Sequence, residues 1–310
     1  MDCFSFLYVK LISYFGNNTT MVDTTKMMEK FLLKFAKQWI AGDDIDDALI
    51  SAKEAYKNGR HAIINKLGEY HKTKDPIEKT IIEYDKIISS FRKWKVRGAI
   101  SVKPTQVGMS INNTTCLNSF EKLINSASNS HVFVWIDMES SEHTDDTIQL
   151  YYDLFSRYER LGIAIQANLK RSIDDVNDLI RHGAKIRIVK GAYRENGRIA
   201  YKTREEVDQN FLKIMKLLFK DANEFGIATH DSKLIDDAIS LSKKHQKKFE
   251  FQLLKGVRDK LKPDLVEQGF IVSDYIPYGT NWLPYSIRRL RERKRNIFLL
   301  GSSFIQSHRV

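Results

Sequence analysis

The stretch from Lys185 to Asp231 reads KIRIVKGAYRENGRIAYKTREEVDQNFLKIMKLLFKDANEFGIATHD and shows the unit from which the fold is built. A short apolar run, Lys185 to Val189, is followed by an amphipathic segment of helical period, Val207 to Phe225, and by a second apolar run, Gly226 to Ala228. Short apolar runs on either side of a long amphipathic segment are typical of a βαβ unit with buried strands.

The same alternation continues along most of the chain. The eight candidate strands are His61 to Leu67, Val96 to Val102, His131 to Ile136, Gly162 to Gln166, Lys185 to Val189, Gly226 to Ala228, Phe249 to Leu254 and Phe270 to Ser273. The helical patterns between them include Ile77 to Phe91, Asp146 to Glu159, Ile173 to Arg181, Val207 to Phe225 and Leu234 to Lys244. This order predicts an α/β fold in which a parallel sheet closes into a (β/α)8 TIM-like barrel. A doubly wound open sheet is the alternative, although no Gly-x-Gly-x-x-Gly follows a strand, which weakens its dinucleotide-binding version.

Three segments are expected along the chain. Residues 1–22 form a leader that is disordered, interfacial or the product of a mis-called start, because the apolar run from Phe4 to Phe15 contains Lys10 and is too short to span a bilayer. Residues 23–60 are expected to form N-terminal helices, and residues 61–310 the catalytic barrel. The polar stretch from Asn112 to Ser130 is expected to be a loop and a short helix.

Composition limits the class of protein. A hydrophobic content of 42% and a charged content of 29% are ordinary for a globular domain and disfavour disorder or a polytopic membrane protein. Two cysteines far apart, Cys3 and Cys116, exclude a disulfide framework and fit a reducing cytosol. The net charge of +11 suggests an anionic partner: nucleic acid, a membrane surface or a phosphorylated cofactor.

Polar residues end almost every candidate strand. In a (β/α)8 barrel, the chemistry lies at the carboxyl ends of the strands and in the loops that follow. The strand-end residues are Lys103, Asp137, Glu139, Gln166, Asn168, Lys190, Thr229, His230, Asp231, Gln252, Lys255 and Tyr275. Because several buried charges near one another require mutual pairing or a ligand, this ring predicts a binding site.

Two strand ends are more specific. Arg187 to Tyr193 brings Arg187 and Lys190 to one strand end, with Gly191 allowing close backbone approach to a ligand; a basic strand end with a turn glycine explains it equally well. Ala228 to Asp231 ends the next strand and begins a helix, where hydroxyl, imidazole and helix N-terminus can together hold a phosphate. The simpler interpretation is a capped helix start, with Thr229 or Asp231 as the cap.

The C-terminal stretch from Tyr275 to Glu292 contains an aromatic turn followed by a basic helical pattern. Arg288 and Arg289 are adjacent, and Glu292 follows at helical spacing, so that it can orient a guanidinium. Such a pair suits a planar carboxylate, although a solvated helix face is the alternative. Metal chemistry is weakly supported because no His or Cys lies at ligand spacing around Asp137 and Glu139, so no metal is expected.

Taken in chain order, these segments resemble the proline dehydrogenase family, from about Trp39 to Glu292. The motifs that carry the resemblance are Leu67-Gly68-Glu69, Ile100 to Gln106, Ile136 to Glu139, Gln166-Ala167-Asn168, Arg187 to Tyr193, Ala228 to Asp231, Phe249 to Gly256 and Tyr275 to Glu292. The resemblance implies noncovalently bound FAD and the oxidation of L-proline to 1-pyrroline-5-carboxylate, with hydride transfer to flavin N5 and electrons passed on to a membrane quinone.

The resemblance also implies roles for individual positions. Lys103, Arg288 and Arg289 would hold the substrate carboxylate; Ile188, Ala192, Tyr193 and Tyr285 would wall the proline ring; Asp137 and Tyr275 would orient these groups. The positions that match the FAD site are Gln166, Arg187, Val189, Lys190, Gly191, Thr229, His230 and Glu292, with Arg187 near the flavin N5 edge.

Two other interpretations stay open. A Schiff-base barrel lyase would use Lys190 or Lys103 as its nucleophile, and a basic nucleic-acid-binding module would account for the charge alone. The resemblance favours neither, and under it no nucleic acid is expected. It implies a cytoplasmic protein that the basic surface and the quinone acceptor could bring to the inner face of a membrane.

Overall fold

The computed structural model describes residues 38–283 and 285–286. Residues 39–281 form one compact unit, and residues 1–38 and 282–310 are grouped in another. Of this second unit, residues 38, 282–283 and 285–286 are described, and they are helical.

A closed barrel of eight parallel strands forms the first unit, with each strand paired to its neighbours in chain order and β8 paired to β1. The strands are β1 (His61–Lys66), β2 (Gly98–Val102), β3 (Phe133–Ile136), β4 (Leu161–Gln166), β5 (Ile186–Val189), β6 (Glu224–Ala228), β7 (Lys248–Leu254) and β8 (Ile271–Tyr278). The (β/α)8 barrel predicted from the sequence is confirmed, and the open sheet is excluded.

Eight helices accompany the strands in the described part of the chain. They are α1 (Ile45–Lys57), α2 (Lys74–Trp94), α3 (Asn113–Asn129), α4 (Thr144–Phe155), α5 (Ser172–Arg181), α6 (Arg204–Asp221), α7 (Ser232–Lys244) and α8 (Leu261–Glu267). Helices α2 to α8 connect successive strands, whereas α1 precedes β1 and packs against both β8 and β1. Helix α1 therefore covers the part of the wall where the first and last strands meet.

The main hydrophobic core lies between the strands and the helices. Outward-facing strand residues such as Ile163, Ile188 and Ile227 pack there with helix residues such as Phe211 and Leu218. A smaller cluster of Ile63, Ala99 and Trp135, with Phe133 and Tyr275 packed against it, fills part of the barrel interior. Because side chains alternate along a strand, the residues between the outward-facing ones point into the barrel.

The ends of two elements differ from the sequence-based expectation. Strand β8 continues to Tyr278 instead of ending at Ser273, because the carboxylate of Asp274 is paired with Arg60 at 3.1 Å and with Lys262 at 2.8 Å. Helix α6 ends at Asp221, and Phe225 belongs to β6, where its ring stacks on Phe249.

Helix α3 is longer than the short helix expected between Asn112 and Ser130. The Asn112 side chain caps it by accepting a hydrogen bond from the Thr115 backbone N–H. Its buried face carries Cys116, Phe120 and Leu123, which lie at helical spacing within an otherwise polar sequence. The apolar stripe, and not the Asn/Ser/Thr composition, determines the structure of this segment.

Candidate active site

Lys103 and Asp137 form a buried ion pair at the mouth of the barrel where the strands end, here called the carboxyl-terminal mouth. Val102 of β2 lies opposite Ile136 of β3, so the next residue of each strand reaches the same height. The Lys103 Nζ lies 3.2 Å from the Asp137 Oδ2, and each residue is only 8% exposed. The parallel register thus places a fixed ammonium group at the mouth.

Both members of this pair stay charged near neutral pH. Burial alone would lower the pKa of Lys103 and raise that of Asp137. Burial is the largest single effect on Lys103, but Asp137, Tyr193, Glu69 and Glu139 together outweigh it, so the pKa of Lys103 lies above its ordinary value. Lys103, Arg187 and the Ser101 hydroxyl together lower the pKa of Asp137 to about 2.

Arg187 reaches the same carboxylate from across the barrel. Its side chain points inward from β5 and is 2% exposed. The guanidinium donates to Asp137 Oδ1, to Ser101 Oγ at 2.9 Å and to Gln252 Oε1 at 3.3 Å. Asp137 therefore joins two cations that come from different strands.

Two aromatic rings hold the Arg187 guanidinium between them. Its central carbon lies 5.0 Å from the centre of the Trp135 ring and 5.6 Å from that of Tyr275. The Tyr275 hydroxyl donates to Asp137 Oδ2 at 3.0 Å, so this ring is itself fixed by the shared carboxylate. Such cation–π contacts strengthen when water is excluded.

Glu139, two residues after Asp137, has the opposite electrostatic behaviour. Its carboxylate is fully buried and accepts hydrogen bonds from the Thr105 backbone N–H at 2.8 Å and hydroxyl at 2.6 Å. Burial outweighs these bonds and raises the pKa of Glu139 to about 7. The Gln166 side-chain amide donates to the Glu139 carbonyl at 2.6 Å, which fixes Gln166 at the end of β4.

Lys190 lies between two carboxylates at the end of β5. Its Nζ contacts Asp208 and lies 3.0 Å from Asp231 Oδ2. Asp231 also pairs with Arg204 and caps α7 by accepting from the Lys233 backbone N–H at 3.1 Å. Burial opposes ionisation, but Arg204 and Lys190 lower the pKa of Asp231 to about 2. The cap at this helix start is therefore Asp231.

Thr229 and His230 lie beside this capped helix start. The Thr229 hydroxyl accepts from the Asp231 backbone N–H at 3.2 Å. His230 Nε2 accepts from the Leu254 backbone N–H at 2.9 Å, and its carbonyl accepts from the Arg258 guanidinium at the same distance. These bonds tie the ends of β6 and β7 together on the side of the mouth where Lys190 lies.

A family model for proline dehydrogenase matches residues 48–298. The chain belongs to the proline dehydrogenase family. Proline dehydrogenase 1 of Bacillus subtilis (strain 168) is 32% identical to it over 279 residues, which are 86% of this chain and 92% of that relative. Proline dehydrogenase of Deinococcus radiodurans is 29% identical over 269 residues, covering 84% of this chain and 87% of that one. The family and its class, an oxidoreductase, are thus as the resemblance predicted.

A solved structure supports the fold. Proline utilization A from Bdellovibrio bacteriovorus, inactivated by N-propargylglycine, matches with a TM-score of 0.78 at 23% identity. The match covers 86% of this chain but 33% of that one, so this family member corresponds to about a third of that longer protein.

The predicted FAD positions of this proline dehydrogenase family member, and Asn168 beside them, offer groups that suit a flavin. Asn168 Oδ1 and Arg187 Nε are buried polar atoms that have no hydrogen-bond partner among the described residues. A flavin ring carries both N–H and carbonyl groups, so it could satisfy an acceptor and a donor of this kind. The donors at Gln166, Lys190 and Thr229 surround the same mouth. The residues present therefore fit the cofactor that the resemblance implies.

Gly191 has the backbone conformation that favours glycine, with a φ of +105°. A Cβ atom built at this position would lie 2.2 Å from Asn168 Oδ1. The Asn168 side chain thus occupies the space next to the Gly191 backbone where a ligand was expected to approach. A larger residue at position 191 would displace this side chain.

Ile188 does not take its expected place. It lies on the opposite side of β5 from Arg187, fully buried in the apolar layer between the strands and the helices. Its neighbours in the sheet, Ile165 and Ile227, face the same layer. This placement contradicts the expectation that Ile188 walls the substrate ring, and the reason is the side-chain alternation of a strand.

The remaining predicted residues divide into two groups. Val189 ends β5, and Ala192 and Tyr193 follow it in the loop after Gly191, where the Tyr193 hydroxyl donates to Glu69 Oε1 at 3.2 Å. Tyr285 is described as part of the second unit. Arg288, Arg289 and Glu292 lie outside the described residues, as does the leader of residues 1–22.

Ser101, Gln252 and Glu69 belong to the mouth but were not among the predicted site residues. Ser101 lies two residues before Lys103 and therefore shares its inward face, which a period of two along β2 would have indicated. Gln252 was noted only as a strand-end residue, and Glu69 only within a motif. Their partners come from distant strands, which no local pattern identifies.

Proposed function

We propose that this chain oxidises L-proline to 1-pyrroline-5-carboxylate with noncovalently bound FAD and passes the electrons on to a quinone. The observation that carries the proposal is the buried Lys103 ammonium, fixed by Asp137 at the carboxyl-terminal mouth of a proline dehydrogenase family member. FAD, when bound, supplies the hydride acceptor at its N5.

Lys103 has the properties of a carboxylate anchor. Its charge is maintained by Asp137, and its side chain is held by that contact before any substrate arrives. Because Asp137 is shared with Arg187, it neutralises the Lys103 ammonium only in part, and Lys103 can donate to a second carboxylate. Arg288 and Arg289, which the family resemblance assigns to the same role, would complete the anchor.

The proline ring requires an apolar slot beside this anchor. We assign its walls to Ala192, Tyr193, Tyr275 and Tyr285. The hydrogen bond of Tyr275 to Asp137 fixes one ring, and that of Tyr193 to Glu69 orients another. A carboxylate held at one end and a slot that fits a small ring together orient the carbon that is oxidised.

A second set of residues would hold FAD. We assign its contacts to Gln166, Arg187, Val189, Lys190, Gly191, Thr229, His230 and Glu292. Arg187 is the only one of these that also contacts the substrate-side carboxylate, Asp137, among the described residues. It therefore links the position of the cofactor to that of Lys103.

The reaction removes two electrons and one hydrogen as a hydride from the ring carbon next to nitrogen, and a proton from that nitrogen. A C=N double bond forms between the two atoms. The nitrogen must lose its positive charge before the hydride leaves, so the rate should rise with pH until the bound amine is neutral. Lys103 and Asp137 keep their charges throughout this range, so the anchor is unchanged.

The visible spectrum of the purified protein tests this proposal. We expect flavin absorption bands that bleach when L-proline is added without oxygen, together with formation of 1-pyrroline-5-carboxylate in equal amount. A colourless protein that forms a borohydride-trappable adduct with a carbonyl substrate would instead indicate the Schiff-base lyase. No contact favours that alternative, since Lys103 and Lys190 are each paired with carboxylates.

The quinone acceptor and the peripheral membrane association form a separate part of the proposal, motivated by the net charge of +11. Within the described residues, no helix has the length and hydropathy needed to cross a bilayer. Cosedimentation with anionic vesicles in low salt tests the association, and failure to sediment would count against it. A soluble quinone that restores the flavin absorption after bleaching would support the acceptor.

A further inference from the structure

A cavity of about 540 Å³ opens at the other end of the barrel, where the strands begin, here called the amino-terminal mouth. It is lined by the first residues of several strands, including His61 of β1, Phe133 of β3 and Lys248 of β7. This end is opposite to Lys103 and Asp137, which follow their strands. The cavity therefore opens at the opposite end of the barrel from the proposed proline site, and Trp135, which contacts Arg187, lies between the two.

Cations outnumber carboxylates in this cavity. Six lysines and arginines line it, namely Arg92, Lys95, Arg97, Arg160, Lys185 and Lys248, against two carboxylates, Glu224 and Glu250. Glu224 already pairs with Lys185 at 3.5 Å and with Lys248 at 3.0 Å. Glu250 accepts hydrogen bonds from Gln252 and from Ser273. Both negative groups thus have partners of their own.

Four cations remain without a carboxylate. Within residues 38–283, no ion pair involves Arg92, Lys95, Arg97 or Arg160. The Arg160 guanidinium donates a hydrogen bond to the His131 carbonyl at 3.3 Å. Arg97 and Arg160 immediately precede β2 and β4, so they flank the start of β3 from both sides. The charge of Arg97 acts inside the cavity, because Arg97 adds to burial in lowering the pKa of His61.

The inner surface of the cavity is apolar and aromatic. Phe133 and Trp135 lie with their ring centres 4.8 Å apart, and Ile63 and Ala99 complete the same small cluster. A cavity with a cationic rim and an aromatic floor matches a ligand that has one charged end and one flat apolar end.

We propose that the amino-terminal cavity binds a small anion that carries a phosphate or carboxylate group on a flat apolar body. The charged group is held by Arg97 and Arg160, with Arg92 and Lys95 nearby, and the apolar body rests on Phe133 and Trp135. Glu250 opposes the anion, so the charged group lies at the rim and not at the depth of that carboxylate. The proposal does not depend on the oxidation of proline.

Calorimetric titration of the full-length, flavin-loaded protein with phenyl phosphate tests the proposal. We expect binding of one equivalent, with inorganic phosphate weaker and uncharged benzyl alcohol weaker still, because each lacks one of the two recognised parts. In the double variant Arg97→Gln/Arg160→Gln, the dissociation constant should rise by at least about tenfold, as for the loss of charge-assisted hydrogen bonds.

A matched variant removes the same charge elsewhere. Lys213→Gln/Lys216→Gln lies on the exposed face of α6 and should leave the dissociation constant unchanged. If both double variants weakened phenyl phosphate binding equally, the effect would be one of net charge, and the proposal would be overturned. The absence of phenyl phosphate binding to the unmodified protein would also overturn it.

Two further measurements keep the test independent of folding and of the ligand source. If Arg97→Gln/Arg160→Gln has an altered circular dichroism spectrum, the pair Arg92→Gln/Lys95→Gln replaces it, with the same expected weakening. The protein could instead bind phosphatidylglycerol vesicles through these arginines and fail to bind phenyl phosphate. That result would identify a lipid surface as the partner and would overturn the small-molecule site.

Discussion

At the carboxyl-terminal mouth, Lys103 and Arg187 are buried against Asp137, whereas at the amino-terminal mouth Arg97 and Arg160 are exposed and have no carboxylate partner within the described residues. Two buried cations are tolerated because a carboxylate fixed by hydrogen bonds neutralises them in part. Exposed cations need no such partner, since water solvates them. The carboxyl-terminal mouth is thus organised before its ligand arrives, whereas the cations of the amino-terminal mouth are left available to pair with an anion.

The largest expected effect comes from breaking the buried cluster. Replacing Asp137 by Ala leaves Lys103 and Arg187 buried without their shared carboxylate and should lower the free energy of unfolding by about 3–5 kcal/mol. It should also abolish proline turnover, because both cations lose their fixed positions. Chemical denaturation at neutral pH measures the first effect, and the steady-state rate of proline oxidation measures the second.

The matched control lies at the other mouth. The Glu224 side chain is 36% exposed and pairs with Lys185 and Lys248, so Glu224→Ala should cost no more than about 1 kcal/mol. If the two variants lost similar amounts of unfolding free energy, the distinction between a buried, organised mouth and an exposed one would be wrong.

A second, smaller effect concerns pH and Glu139. Its pKa in the folded protein, about 7, lies above its ordinary value of 4.5, so the folded state binds the proton more tightly than the unfolded state. The resulting stability is complete below about pH 4.5 and is lost as the pH rises through 7, by about 3 kcal/mol in total. In Glu139→Gln this loss should disappear, so the difference in unfolding free energy between variant and parent should shift by most of that amount between pH 5 and pH 8.

Asp137 provides the internal comparison for this measurement. Its pKa is lowered to about 2, so the stability it contributes is present above its ordinary value near 4 and is lost only as the pH falls below that. The pH range above 5 therefore reports Glu139 and not Asp137. A difference between parent and Glu139→Gln that stays constant from pH 5 to pH 8 would contradict the raised pKa of Glu139.

The smallest expected effect lies at the amino-terminal mouth. Arg97 lowers the pKa of His61 in addition to the larger effect of burial, so Arg97→Gln should raise this pKa without restoring the ordinary value. An NMR titration of the His61 ring protons measures the shift. Lys213→Gln, on the exposed face of α6, should leave the titration unchanged. An equal shift in that variant would mean that the cavity does not concentrate positive charge.

The barrel could be predicted from the sequence because its strands are short apolar runs separated by amphipathic helices. The position of Lys103 and Asp137 at strand ends followed from the same pattern. The extent of β8 could not be predicted, since Asp274 is accommodated by Arg60, which is 214 residues away in the chain. Contacts of this range depend on the closed barrel and not on local sequence.

Ile188 shows where the resemblance to a family was less informative than the strand geometry. Once Arg187 is placed inside the barrel, alternation places Ile188 outside it, and the structure agrees with the alternation. The partners of Asp137 could be predicted only in part: the resemblance places Lys103 and Tyr275 near it, but it assigns Arg187 to the flavin and gives Ser101 no role. Ser101 lies on β2 and Lys103 follows it, whereas Arg187 and Tyr275 come from β5 and β8, so these four side chains converge only when the sheet closes.

The central claim is that Lys103 holds the carboxylate of proline, and the ratio of kcat/KM for L-proline to kcat/KM for pyrrolidine, which lacks the carboxylate, tests it most directly. In Lys103→Met this ratio should fall by about 10- to 100-fold, because only proline loses a charge-assisted hydrogen bond. General damage to the site would lower both values together. An unchanged ratio in Lys103→Met would contradict the claim.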